Sequence, residues 1–255
     1  MKINNKKIGI VIQARCGSKR FPNKINKKIY KNFSSLDFII KRILKHFDKD
    51  KIILATSTEH IDKKLIIYKK KYKINFFTGS HNNLLKRYYD CAKIYNIDTI
   101  VRLTADCPLV DPIHIKSYLR LFHKKKIDYL SNCAPYENRT YAVGNDIEIF
   151  KFKSLKKYLN YKNTTFQKEH ISPFFLKNFK KTHLVKSRED LSKFRYTLDY
   201  PLDLWVIKEM IKKSKNPINL KYKEIINILK KNKEISSKNL NYLSIYFKKK
   251  IKKGY

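Results

Sequence analysis

Paired cysteine spacing is absent from this 255-residue chain: Cys16, Cys91, Cys107 and Cys133 form no Cys-x-x-Cys motif. Neither a zinc site nor a disulfide framework is indicated, and four reduced thiols are expected. Long apolar runs are missing too, so no integral membrane segment is expected, and the apolar stretch before Arg15 is too short for a secretory signal. A cytoplasmic protein is the resulting expectation. Glycine is scarce, with five in all, and none stands in a Gly-x-Gly-x-x-Gly or Walker arrangement. Acidic residues are also few, 21 against 59 Lys and Arg, which leaves a formal net charge of +38.

Such a charge raises the question of nucleic acid, because clustered cations neutralise phosphates. Here 50 of the 59 cations are lysines spread along the whole length, amid abundant Ile, Asn, Tyr and Phe. That is the pattern an AT-rich genome imposes through its codons. No recognition motif or arginine-rich helix accompanies the charge, so nucleic acid is not the expected partner. The nine arginines then carry information, since Arg stands out where a planar, bidentate fork is needed.

Residues 8–24, IGIVIQARCGSKRFPNK, begin as a short apolar β-type run and turn at once into a loop holding Arg15, Gly17, Ser18, Arg20 and Lys24. A buried strand that delivers a small-residue turn and three cations to a sheet edge suits a polyphosphate. An ordinary basic β-to-α connection is the alternative. Residues 98–112, DTIVRLTADCPLVDP, are again an apolar strand, ending in Asp106 and Asp111. One or two carboxylates at a strand end suit a hard divalent cation that keeps several waters. Asp106 is the preferred ligand, whereas Asp111 before Pro112 reads as the cap of a helix running to about residue 124.

With these segments the chain resembles the cytidylyltransferases that activate acidic sugars, most closely the branch named after spore coat polysaccharide biosynthesis protein F. The resemblance is carried by IQARCGSKRFPNK, ATSTEHID (55–62), FTGSHNNLLKRYYDCA (77–92), VRLTADCPLVDP, GNDIEIF (144–150), KEHIS (168–172) and RYTLDYPLD (195–203). These seven segments lie in the family's order over roughly residues 8–210. Arg15, Arg20, Arg87, Arg102 and Arg195 all fall inside them, as do Gly17, Gly79 and Gly144.

The resemblance implies that CTP and an acidic sugar of the ulosonic or nonulosonic type give a CMP-sugar and pyrophosphate, for surface polysaccharide biosynthesis. Arg15 and Lys24 would hold the β- and γ-phosphates, with Ala14, Gly17, Ser18 and Arg20 close to the nucleotide. Magnesium would be held by Asp106 and Asp199, although Asp199 alone also suits an N-cap before Pro201. Asp203 reads as a helix-dipole partner. The nucleoside is expected near Ala55, Thr56, Ser57 and Gly79, and Arg102 is a base or phosphate contact or a structural ion pair. Asn132, Glu148, Glu169, His170 and Arg195 are the sugar candidates. At Val143 the chain departs from the family, where a proline commonly precedes the glycine of GNDIEIF. A homodimer is also implied. The rival readings are a glycosyltransferase that uses a preformed nucleotide-sugar, and a basic nucleic-acid-binding protein.

Hydrophobic spacing alternates strand and helix: strands at 8–14, 51–55, 74–77 and 99–103, and helices at 36–47, 61–72 and 84–95. This predicts an α/β, Rossmann-like three-layer sandwich with a mainly parallel sheet, and the resemblance makes it the nucleotide-diphospho-sugar transferase type. GNDIEIF and FRYTLD read as further strands, with 164–176 and 201–213 as helices. Residues 1–255 read as a single nucleotidyltransferase domain, with 230–255 a basic extension in which Leu240, Leu243, Ile245 and Phe247 could form one docking helix.

Overall fold

A computed structural model describes residues 7–243 and 245; Phe247 and the lysine-rich end lie outside them. The strands are β1 (Ile8–Gln13), β2 (Lys28–Tyr30), β3 (Phe33–Ser34), β4 (Ile52–Ser57), β5 (Asn75–Gly79), β6 (Thr99–Thr104), β7 (Tyr129–Ser131), β8 (Glu148–Lys151) and β9 (Thr182–Leu184). The helices are α1 (Ser35–Leu44), α2 (Ile66–Tyr72), α3 (Leu84–Ile94), α4 (Pro112–Lys124), α5 (Phe152–Lys156), α6 (Thr165–Glu169), α7 (Ile171–Asn178), α8 (Pro201–Lys212), α9 (Tyr222–Lys231) and α10 (Lys233–Ser237).

Seven strands form one sheet in the order β5-β4-β1-β6-β8-β7-β9, and β2-β3 is a separate hairpin. The sheet is parallel except at β8, which runs against both β6 and β7. Both faces are covered, so strand residues are buried on either side, as a parallel sheet requires. Ile10, Ile12, Leu54, Val101 and Leu103 pack in one core cluster, while Val11, Ile53 and Ile100 pack in the other with Tyr88 and Phe150 of α3 and β8. This is the period-2 alternation of a strand expressed on two buried faces. The α/β fold with a mostly parallel sheet is thus the one expected.

Local chemistry sets the helix ends. Ser34 accepts from the amide of Asp37 and Asp37 accepts from that of Ser34, a capping box opening α1. Asp111 caps α4 through the amide of Ile113, as its place before Pro112 predicts. The buried Arg42 guanidinium of α1 donates to the carbonyls of Leu109, Val110, Pro217, Ile218 and Leu220. It fastens the segment following Asp106, and burial pulls its pKa down to about 10.

Three sequence expectations change. FRYTLD is not a strand: apart from a single bridge between Val143 and Arg195 it has no ladder partner among the described residues, although Tyr196 and Leu198 are fully buried. The helix expected at 164–176 is two helices, with His170 in extended backbone between them (φ −139°). Pro173 explains the restart, since it is tolerated in a first turn, where its missing amide costs nothing, but not in a helix interior. The span 61–72 begins as a 3-10 turn, His60–Leu65, before α2. All four cysteines are buried and free, and burial raises the Cys16 thiol to about 11.

Candidate active site

Every parallel strand ends on one edge of the sheet, where the following loops gather. Gln13, the end of β1, is level with Thr104 of β6 and Ala55 of β4. The loop after β1 folds round the Cys16 carbonyl, which accepts from the amides of Ser18 (2.9 Å) and Asn23 (3.2 Å). Asp62 fixes it from the side by accepting from the Cys16 amide (2.6 Å) and the Ser57 hydroxyl (2.5 Å). A Cβ at Gly17 would meet no heavy atom within 4 Å, so packing does not dictate glycine there.

Asp106 and Asp199 are 93 positions apart and meet because the strand-like segment after Arg195 is tied to the β6 loop. The Asp106 carbonyl accepts from the amide of Leu198 (2.7 Å) and the hydroxyl of Thr197 (3.1 Å). The Lys24 ammonium then lies between the two carboxylates, 2.7 Å from Asp106 and 2.8 Å from Asp199. Arg20 reaches Asp199 at 2.8 Å, and Arg195 at 3.1 Å. Asp203 holds Arg195 through two contacts of 3.2 and 3.0 Å and also accepts from the amides of Asp199 and Tyr200.

Asp203, not Asp199, therefore caps α8, and the Asp199 carboxylate is left to face three cations. Burial alone would raise its pKa, but Lys24, Arg195 and Arg20 outweigh that and hold it well below the usual carboxylate range. Burial likewise opposes the charge on Lys24, and Asp106 and Asp199 overcome it, holding its pKa above the usual lysine value.

The folded pKa of Asp199 lies below its unfolded value, so the unfolded chain takes up the proton first. The stability gained is complete above about pH 4 and is lost as pH falls toward the folded pKa. Asp199→Asn is expected to flatten the acid limb of a stability–pH curve measured by urea unfolding. An acid limb identical to wild type would rule out this account of the carboxylate.

Two cavities meet over this cluster. The larger, about 570 Å³, is walled by the β1 loop, including Ala14, Arg15, Gly17, Ser18, Arg20 and Lys24, and opposite them by His81, Asn82, Arg87 and Lys168. The smaller, about 420 Å³, is walled by Cys133, Tyr136, Val143, Asp146, Thr197 and Tyr200, with Tyr242 and Ile245 from the C-terminal segment. Arg15, Arg20, Arg102, Asp106, Asp199, Glu169 and His170 border both. Arg15 makes no hydrogen bond or salt bridge among the described residues.

Most of the residues singled out from the sequence therefore converge here. Ala55, Thr56, Ser57 and Gly79 do not line either cavity; they are buried where β4 pairs with β5. A Cβ at Gly79 would lie 2.6 Å from the Phe77 ring and 3.0 Å from Arg87, so glycine there makes room for the helix that presents Arg87. Arg87 pins the 80–81 turn through the carbonyls of Ser80 and His81. Asn132 is fully buried and bridges the Asn145 carbonyl and the Ile147 amide. Glu148 is buried among Arg102, Tyr129 and Ser172. Arg195 borders the smaller cavity but is committed to Asp199 and Asp203.

Sequence reasoning passed over His81, Asn82, Tyr136, Asp146 and Tyr242. His81, Asn82 and Asp146 lie within the motif segments but carry no periodic signal that singles them out, and Tyr136 and Tyr242 lie outside those segments altogether. At Val143 the departure from proline has a use: its amide donates to the Phe194 carbonyl (2.9 Å), a bond proline could not make. Gly144, at φ +123°, has no room for a Cβ against Tyr196 and Thr197.

Comparison with known proteins agrees with this architecture. Residues 9–251 match the family model described as cytidylyltransferase. A cytidylyltransferase structure from Leptospira borgpetersenii is similar at TM-score 0.84 and 36% identity, over 91% of this chain and 97% of that one. An uncharacterized protein of Methanocaldococcus jannaschii is 32% identical over 235 residues, 91% of this chain and 93% of the relative. The fold is shared with CMP:2-keto-3-deoxy-manno-octonic acid synthetase complexed with CTP, at TM-score 0.60 and 15% identity, over 82% and 99% of the two chains.

Proposed function

The chain belongs to the cytidylyltransferase family, and from that premise we propose that it joins CMP from CTP to an acidic sugar of the ulosonic or nonulosonic type, releasing pyrophosphate. The observation that carries this reading is the meeting of two cavities over Asp106, Asp199 and Arg20. The larger, bordered by Arg15, Lys24 and the backbone around Gly17 and Ser18, takes the triphosphate. The smaller takes the acceptor, with Glu169 and His170 on its border. The acceptor hydroxyl then gives up its proton to water and bonds to the α-phosphorus as the bond to the pyrophosphate oxygen breaks. Both partners are held at the junction, which supplies the proximity such a displacement needs. The seven motif segments support membership of the spore coat polysaccharide biosynthesis protein F branch, and with it a cytoplasmic homodimer serving surface polysaccharide synthesis. Among the described residues no helix is long and apolar enough to cross a membrane.

Two carboxylates within 2.8 Å of one ammonium are hard oxygen donors that already converge on a positive charge, and that set fits magnesium. Among the described residues no group of three His, Cys, Asp or Glu side chains could hold a metal, so phosphate and water would complete the shell. Bound there by Asp106 and Asp199, magnesium would polarise the α-phosphate and lower the pKa of the acceptor hydroxyl. Lys24 and Arg15 neutralise the departing pyrophosphate.

Thermal denaturation with each nucleotide tests the reading. CTP with magnesium is expected to raise the melting temperature more than ATP with magnesium, and CTP without magnesium to have little effect. Equal shifts for the two nucleotides would exclude a cytidine-selective site. Pyrophosphate release from CTP with a panel of sugar acids tests the acceptor, and consumption of a preformed nucleotide-sugar instead would point to the glycosyltransferase.

A further inference from the structure

Beyond α10, residues 239–243 and 245 return to the active site. Asn239, almost fully buried, donates its amide to Asp203 (2.7 Å). This is the carboxylate that holds Arg195, which in turn holds Asp199. One turn on, the Tyr242 ring stacks on Tyr200 with centroids 4.0 Å apart and planes at 15°. The Arg20 guanidinium lies over the Tyr200 ring at 5.2 Å while its other contact is Asp199. Tyr242 and Ile245 wall the smaller cavity together with Tyr136 and Val143.

We infer that this C-terminal segment is part of the acceptor site, with Tyr242 a specificity-determining residue and Asn239 a positioning residue. The inference rests on the assignment of the smaller cavity to the acceptor. A tyrosine ring offers an apolar face to the carbon skeleton of a polyhydroxylated acceptor while its hydroxyl stays hydrated. Here the ring is held by stacking on Tyr200, whose neighbour Asp199 stands at the junction of the cavities. Asn239 fixes the segment to the network that orients Asp199, so acceptor wall and catalytic carboxylate share one support. Among the described residues, the triphosphate side of the site takes none from the segment. Acceptor and nucleotide binding are therefore separable by substitution.

The full-length protein, Tyr242→Ala, Tyr242→Phe and Asn239→Asp are compared by pyrophosphate release. The acceptor is whichever of 3-deoxy-manno-octulosonic acid, N-acetylneuraminic acid and a polyol phosphate the wild type uses. Tyr242→Ala is expected to raise the acceptor KM about tenfold, the scale of losing one stacked ring, with the CTP KM within about twofold of wild type. Tyr242→Phe should restore it, because the ring face and not the hydroxyl is used. Asn239→Asp sets a like charge against Asp203 and should raise the acceptor KM as well. Trp205, the only tryptophan in the sequence, has Lys238 over its ring at 5.5 Å, so its emission reports whether the segment is docked. It should shift in Asn239→Asp and stay unchanged in Tyr242→Ala. An unchanged acceptor KM in Tyr242→Ala, or equal rises in both KM values, overturns the inference. Use of the polyol phosphate alone would overturn the acidic-sugar reading while still testing Tyr242.

Discussion

Asp106→Asn and Asp199→Asn are each expected to cut turnover at saturating CTP by about 10²- to 10³-fold, the scale of removing one well-placed charged group from a transition-state site. Asparagine keeps the size of the side chain and removes the negative charge that a hard cation prefers. What activity remains should need more magnesium. Both carboxylates address one ammonium at 2.7 and 2.8 Å, so the double substitution should cost far less than the product of the single losses. A magnesium titration of pyrophosphate release measures this. Near-wild-type turnover and magnesium dependence in Asp199→Asn would take Asp199 out of the chemistry, and its place away from the α8 cap leaves no capping role to explain such a result.

Lys24→Ala should act on two observables at once. In the absence of divalent cation it leaves Asp106 and Asp199 without the ammonium between them. Breaking a buried pair costs about 3–5 kcal/mol, and the remaining contacts of Asp199 to Arg20 and Arg195 soften that to about 3 kcal/mol. A melting temperature lower by roughly 6–12 °C follows for a chain of this size. Magnesium alone should then stabilise Lys24→Ala more than wild type, because the metal no longer competes with the lysine for the carboxylates. The CTP KM should rise by about one to two orders of magnitude while part of the saturated turnover survives, as expected for a group that binds charged phosphates before and during reaction alike. An unaltered CTP dependence would show that the loop does not hold the triphosphate. Equal magnesium stabilisation in the two proteins would show that lysine and metal do not share a site.

The parts of the fold that were legible in the sequence are those in which several residues repeat one pattern. β1, β4 and β6 are six residues each, buried and bounded by polar loops. α4 carries its own start signal in Asp111–Pro112. β7 and β9 are three residues long, too short for any alternation to show. FRYTLD misleads because apolar Phe194, Tyr196 and Leu198 alternate with polar residues as in a strand, whereas all six positions are buried. The backbone amides of Tyr196 and Leu198 nevertheless go to Val143 and Asp106, outside any named strand. The loop cations and Asp106 could be found because chemistry concentrated after an apolar strand is a local signal. The buried commitments of Glu148 and Asn132 to Tyr129, Ser172 and Asn145 are not local, and no spacing announces them. Arg42 is equally silent, since five carbonyl partners from two distant segments exist only once the chain has closed.

The reversed strand β8 has one more consequence. On the site edge the parallel strands finish, but β8 begins there, with Glu148 level with Arg102. The triphosphate side is accordingly built from connections that follow strands. The acceptor side draws Cys133, Tyr136, Val143 and Asp146 from one long connection that leaves β7 and returns as the reversed β8. What is transferred and what receives it thus draw partly on different stretches of chain, which meet at the residues bordering both cavities, Asp106 and Asp199 among them. Insertion or exchange within residues 132–147 could retarget the enzyme to another acceptor without rewriting its phosphate-handling loop, a division of labour through which descendants of one cytidylyltransferase could diverge in product while keeping a common donor.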